Sequence, residues 1–585
     1  MILPWYRRFS RPVHVVAGLI VCDALILIDL PVVATLGAIG LLLIPGLQFV
    51  SVCEATARLR SAPFVGAAAS LVLLPLFFAP LWNLLITQWS LTLGINMLAL
   101  LLCVPQWFRR TEVAHDVLPG EPGSRRPINW YHVILIWTGL TIFCTFALPQ
   151  LPARRQGVEI GDYVKHHALL MTLEAERLPL RSPFYAAAPE EKYYYYHFAY
   201  FWPAALRQLS GGDTSVGIAF SVFASLVALA FVATTFEIAR RFCHADAAGV
   251  IAAACVSVIG GMDVLPQLIR VFSGQPVAGI MDSWIPSPWR IHNLATQYVW
   301  CPQHVLSLLA LLLATLLMGQ KWNPRFWLVF TPLICVAVFG MSAFVSLTVL
   351  PAIAMTGLLL AFELRKERGS SIASLFSALI LIAGTFFVLA LPQLQGYLEA
   401  GRRLPGEFTT EWPRLPWSIL GRAAPPGVIA NWLDLPWIFL IDFGIAGIAL
   451  VFAPRGFWRD AWRQPGIRAL VLAGVAGVIG SFTFRNSAHD FVYGFRVCAM
   501  ALVPVGAIAV GAAFFGCYSS ASRLRNVRAI LVTAGILGLS IGLLEMPFMA
   551  FRSLRSVSDA ERAAAHFVRS ALDTRAVVQP EPDHR

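Results

Sequence analysis

Residues 214–241 read TSVGIAFSVFASLVALAFVATTFEIARR. The apolar run is long enough to cross the hydrocarbon core of a bilayer, which takes about 20 residues. It stops at a pair of arginines, Arg240 and Arg241, the mark of a short cytoplasmic connection. The same pattern recurs along the whole chain of 585 residues, of which 58% are hydrophobic and only 13% charged, with a mean hydropathy of +0.69. A soluble globular chain carries about 25% charged residues because its surface needs them. This chain must face something other than water over most of its area. The composition predicts an all-α, polytopic helical membrane protein and excludes a disordered chain, a disulfide scaffold and a soluble enzyme with a single anchor.

Apolar stretches near 13–30, 32–52, 64–86, 89–106, 130–149, 214–239, 246–262, 303–319, 326–341, 343–362, 371–393, 436–453, 468–484, 492–515 and 529–549 predict about fifteen spans. The first pair is divided only by Pro31, and the 326–362 region only around Gly340-Met341-Ser342. Arg7, Arg8 and Arg11 precede the first stretch, but no small-residue cleavage site ends it, so it reads as a span and not as a cleaved leader. The net charge of +12 has the same explanation as the arginine pair above: basic residues beside spans that set topology. Nucleic acid is therefore not an expected partner.

With the N-terminus in the cytoplasm, every second connection is short and basic. These connections hold Arg58 and Arg60; Arg109, Arg110, Arg125 and Arg126; Arg240 and Arg241; Lys321 and Arg325; Arg365, Lys366 and Arg368; Arg455, Arg459, Arg463 and Arg468; and Arg523, Arg525 and Arg528. The opposite short connections, near Pro31, Gln88 and Ser342, hold no Lys or Arg. The alternation places the C-terminal tail outside and leaves three long outer segments, 150–213, 263–302 and 394–435. Chemistry is expected on that outer face. Residues 1–106 read as an accessory four-span bundle, 107–129 as a cytoplasmic loop, 130–550 as the core, and 551–585 as an external tail. In the tail, Ser558 and Glu561 form a capping box before a short helix. The cysteines, such as Cys22, Cys103, Cys144, Cys255 and Cys517, sit mostly within apolar stretches, and Cys301 in a loop has no evident partner.

The first outer segment contains RRQGVEIGDYVKHHALLMTLEAERLPLRSPF, and Asp162 stands about a dozen residues beyond the span before it. A carboxylate held at the membrane boundary is suited to general-base work. It is equally suited to cap a helix over 163–176. His166 lies four residues on, on the same helical face. His166 and His167 point to different faces, and no linear spacing gathers three ligands, so no metal site is read, while a divalent cation stays open as a cofactor. The run EEKYYYYHFAYFWPAALRQLSGG predicts an amphipathic helix lying on the outer surface and ending at Gly211-Gly212. Farther on, Trp300-Cys301-Pro302-Gln303-His304 stands where an outer segment re-enters the membrane, making His304 a candidate. In FRNSAHDFVYGFRVCAMALVP, Arg485, Asp490 and Arg496 bracket the start of a span, where charge must be paired or line a wet cavity.

This order of span, short exit, isolated outer Asp, tyrosine-rich run and next span resembles the GT-C class of polytopic membrane glycosyltransferases, especially bacterial and archaeal members with tyrosine-rich first loops. The resemblance implies a GT-C-like core with helical outer loops in a bacterial inner membrane, N-terminus cytoplasmic and C-terminus periplasmic. It also implies a polyprenyl-phosphate-linked sugar donor, with Asp162 as catalytic base. The class pairs two acids; here Tyr163 follows Asp162, and Glu159 is the nearby acid. Arg496, with Arg485 second, matches the position that meets the lipid phosphate, and His166, His304 and Asp490 complete the expected substrate site. Two alternatives remain open: a transporter or flippase of a lipid-linked or amphiphilic substrate, and a non-catalytic subunit of an envelope-polymer assembly system. Oligomeric state is not read from the sequence.

Overall fold

The computed structural model describes residues 12–28, 30–52, 59, 61–108, 125–147, 161–178, 180, 197–260, 271–272, 274, 294, 297–298, 301–318, 324–368, 372–403, 442–483, 497–515 and 527–538. All regular structure among them is helical. The helices are α1 (Pro12–Ile26), α2 (Pro31–Val52), α3 (Ala62–Leu81), α4 (Gln88–Phe108), α5 (Arg125–Ala147), α6 (Gly161–Ala175), α7 (Phe198–Leu209), α8 (Val216–Cys243) and α9 (Asp246–Cys255). They continue with α10 (Pro302–Met318), α11 (Pro324–Met341), α12 (Ala343–Arg368), α13 (Ile372–Arg403), α14 (Asp442–Phe452), α15 (Arg455–Arg463), α16 (Pro465–Thr483), α17 (Leu502–Phe515) and α18 (Val527–Gly538).

Local chemistry sets many of these limits. Pro opens α1, α2, α10, α11 and α16, where its fixed φ suits a helix start and its missing N–H is not needed. Ser215 caps α8 by accepting the Ile218 N–H at 3.3 Å, and His244 ends α8 in the left-handed region at φ 54°. Gly211 and Gly212, at φ 68° and 86°, turn the chain from α7 into α8.

Apolar helices overlap the expected spans, but among the described residues fewer than fifteen are long enough to cross a membrane. Six are long and apolar enough to cross a membrane, one more is the bent pair α15–α16, and eight are shorter. The segment Val497–Phe515, containing α17, is 94% buried within the bundle, whereas the apolar stretch of α13 is only 6% buried. The first is therefore central, and the second presents Ile380, Phe387 and Val388 outward, as a lipid-facing helix does. The long α8 is the hub, touching α3, α5, α7, α9, α10 and α17. The first four helices join the same core, since Phe78 and Trp82 of the α3 end pack on Phe201 of α7.

The bundle has two ends, and several of the basic connections meet at one of them. At the end carrying the basic connections, the buried Glu237 carboxylate accepts the Ser61 N–H at 2.7 Å and an Arg240 N–H at 2.8 Å. Ser61 Oγ also meets the Tyr131 hydroxyl at 2.6 Å. Phe242 lies edge-on to Phe457, and Arg468 bridges to Glu363 at 3.0 Å. At the opposite end Thr35 meets Thr214 at 2.7 Å, Gln88 donates to the Leu209 carbonyl, and the Gly260 N–H donates to the Gly538 carbonyl.

One reading of the sequence is corrected here. The tyrosine-rich run was expected to lie as a helix on the outer surface. Its described part, α7, is instead enclosed: ten of its 12 residues are buried. The 12 residues are too short to span. The ring of Phe198 lies against Gly340, where an added Cβ would come within 2.4 Å of it.

Small residues let the helices approach closely, as in other membrane bundles. A Cβ at Gly46 of α2 would fall 2.2 Å from the Gly66 carbonyl oxygen of α3. Since the obstacle is backbone, Gly46→Ala is expected to cost about 1–3 kcal/mol of overpacking, read as a lower melting temperature in detergent. Leu36→Ala, at a residue 59% exposed, serves as the neutral control. Equal melting of the two variants would contradict this seam.

Candidate functional site

The helix α6 is the starting point because it carries Asp162 in its first turn, one turn before His166. An acid there suits the positive end of the helix dipole. His166, Leu169, Leu170 and Leu173 are all buried and follow the i, i+3, i+4, i+7 spacing, so one stripe of α6 faces the bundle. Side chains of the α3–α4 turn fasten it there. The Trp82 indole N–H donates to the Leu173 carbonyl at 2.9 Å. Asn83 donates to the Leu178 carbonyl at 3.1 Å and accepts the Leu178 N–H at 2.7 Å. His166 Nδ1 meets the Tyr200 hydroxyl of α7, and its ring stacks on Phe220 of α8 at 5.2 Å. The His–Tyr contact joins α6 to the tyrosine-rich run, and either partner can carry the shared proton.

Beside this contact Arg207 of α7 pairs with Glu174 of α6 at 3.0 Å and donates through Nε to the Thr214 carbonyl at 2.9 Å. Burial pushes the Glu174 carboxyl up to about 7, against the opposing pull of Arg207. The pair sits outside the spans, between α6 and the α7–α8 turn.

His304 lies in the first turn of α10, buried, with Nδ1 2.7 Å from the Ser342 hydroxyl at the α11–α12 break. That hydroxyl also accepts the Val345 N–H at 3.1 Å, so it caps α12 while holding the histidine. A third cluster lies where α9 ends. A cavity of about 20 Å³ there is lined by Ser257, Gly260, Asp442, Met500 and Val503, with Asp442 3% exposed at the first turn of α14. That volume suits about one water molecule.

Of the residues singled out from sequence, His166 and His304 are each seated on a hydroxyl, and Asp162 lies on α6. Glu159, Arg485, Asp490 and Arg496 lie outside the described residues. Among the described residues no group of three His, Cys, Asp or Glu side chains is placed to hold a metal ion. The sequence reading passed over Asp442 and Glu237, each a lone acid within an apolar run, and that loneliness was the available signal. It also passed over Glu174–Arg207, whose members are 33 positions apart and look like ordinary surface charges. Comparison with family models, characterised proteins and solved structures gives no match.

The Glu174 shift sets a pH dependence. Its folded value lies above its ordinary 4.5, so the folded state holds the proton more tightly, and stability falls as pH rises from 4.5 through about 7. Wild type is expected to lose melting temperature across that window, while Glu174→Gln, which cannot ionise, shows a flatter profile. Parallel profiles for the two proteins would contradict the assignment.

Proposed function

We propose that this chain is a multi-pass membrane glycosyltransferase of GT-C type, moving a sugar from a polyprenyl-phosphate carrier to an acceptor at the outer face of a bacterial inner membrane. The observation that supports this most is the anchoring of α6. Its first turn, with Asp162, belongs to a helix fastened to the α3–α4 turn, α7 and α8 by hydrogen bonds and a buried stripe. A base must be held on a rigid support within reach of the reacting proton. In this reading Asp162 takes the acceptor hydroxyl proton as that oxygen attacks the anomeric carbon. The bond from that carbon to the carrier phosphate breaks, and the charge left on the phosphate is held by Arg496 and Arg485. Glu159 is the second acid, His304 and Asp490 line the substrate, and His166, turned into the bundle, holds α6 in place. The full reading takes fifteen spans with the N-terminus cytoplasmic and the C-terminus periplasmic.

A second reading, transport or flipping of a lipid-linked substrate, draws support from α9. It runs for only 10 residues, about 15 Å, and ends beside the cavity holding buried Asp442. Half-helices ending at polar sites are a transporter feature.

The two readings part on Asp162→Asn. In membranes supplied with labelled polyprenyl-phosphate sugars, a base at this position predicts a 10²–10⁴-fold loss of transfer with normal folded yield. Full activity in Asp162→Asn with loss in Glu159→Gln moves the role to Glu159. Retention in both, with loss of substrate movement in Asp442→Asn, replaces the enzyme with the transporter.

A further inference from the structure

The short helix α15, RGFWRDAWR, plays no part in the outer-face chemistry, yet its geometry is specific. It meets the following helix α16 at 108°, so it lies across the direction of the spans. Its buried residues are Phe457 and Ala461, and Phe457 rests edge-on against Phe242, the next-to-last residue of the 28-residue α8. That contact sets α15 at the level where α8 leaves the bundle, which is the membrane boundary. Its far end is fixed by Arg468, which donates to the Trp462 carbonyl at 2.9 Å, lies over the Trp462 ring at 5.6 Å and bridges to Glu363.

At about 100° per residue the wheel sorts this helix into four sides. Phe457 and Ala461 point into the protein. Arg455, Arg459 and Arg463, at i, i+4 and i+8, form a row on the opposite side, and all three are exposed. Trp458 and Trp462 flank the row on one edge, Trp462 with 41% of its surface exposed. Asp460 stands on the other edge, within reach of Arg459 at 3.4 Å and Arg463 at 3.9 Å. Tryptophan prefers the bilayer interface, so its edge turns toward lipid and the Asp460 edge toward water. The arginine row then faces sideways, away from the protein, at the height of the surrounding head groups. Arginine offers a planar fork suited to phosphate.

We propose that α15 is a binding site for anionic phospholipid head groups, held by the Arg455–Arg459–Arg463 row and seated by Trp458 and Trp462. The single acid on the helix leaves it a net positive charge, which matches an anionic leaflet and does not select a zwitterionic one. A basic residue near such a surface adds about fivefold in affinity, so the row is expected to supply on the order of tenfold or more after partial neutralisation by Asp460. The site does not depend on the reaction proposed for the opposite end.

The test uses the purified full-length chain in detergent, titrated with dioleoyl phosphatidylglycerol or dioleoyl phosphatidylcholine and followed by native mass spectrometry. Wild type is expected to bind phosphatidylglycerol preferentially. Arg455→Gln/Arg459→Gln/Arg463→Gln should weaken the tightest phosphatidylglycerol event at least tenfold and leave phosphatidylcholine unchanged. Arg459→Gln alone, for use if the triple variant does not fold, should give about fivefold, and Asp460→Asn should tighten binding. Inorganic phosphate should compete no better than chloride at equal ionic strength. Unchanged phosphatidylglycerol affinity in the folded arginine variants overturns the proposal. Specific displacement by phosphate overturns it also, in favour of a site for the free ion.

Discussion

The contact on which the bundle depends is the Glu237 carboxylate. It has no exposure to solvent, and a charge in such a place is tolerated only when fully partnered. Ser61 and Arg240 partner it, and Tyr131 closes the group through Ser61. The starts of α3 and α5 are thereby tied to the last turns of α8. Once one end of α8 is fixed, its 28 residues, about 42 Å at 1.5 Å each, fix where the other end emerges. The α3 end, with Trp82 and Asn83, emerges beside it, and these are the side chains that hold α6. The placement of the helix bearing Asp162 therefore follows from a charge buried at the far end of the molecule.

The two ends are built differently. The end with Glu237 and Arg468 uses full charges, each buried or half-buried and each supplied with an opposite charge. The α6 end has one half-buried ion pair, Glu174 with Arg207, and otherwise uses hydroxyls, amides and histidines: Thr35 with Thr214, Asn83 with Leu178, His166 with Tyr200, His304 with Ser342. Neutral partners cost less to separate from one another than buried ions do.

The apolar helices were legible because hydropathy over twenty residues is a local property, and the sorting of the two ends was legible because arginines mark one of them. The depth of α7 was not. A run such as Tyr200-Phe201-Trp202 reads as an interface belt in isolation. What buries it is Trp82, and the absence of a side chain at Gly340 that admits Phe198, both far away in sequence. The partners of Glu237 were illegible for the same reason, Ser61 being 176 positions distant. His166 was singled out for sharing a face with Asp162, but it serves the buried stripe of α6. Spacing shows which residues share a face and not what that face meets.

The account requires that the α6 end and the α15 end lie on opposite sides of a membrane, with α6 outside. Single cysteines at the exposed positions Arg177 and Arg459 test this in intact cells with a membrane-impermeant maleimide, since the native cysteines among the described residues are buried or half-buried. Arg177→Cys should label at once, and Arg459→Cys only after the membrane is opened. Labelling of both from outside, or of Arg459→Cys alone, would contradict the account.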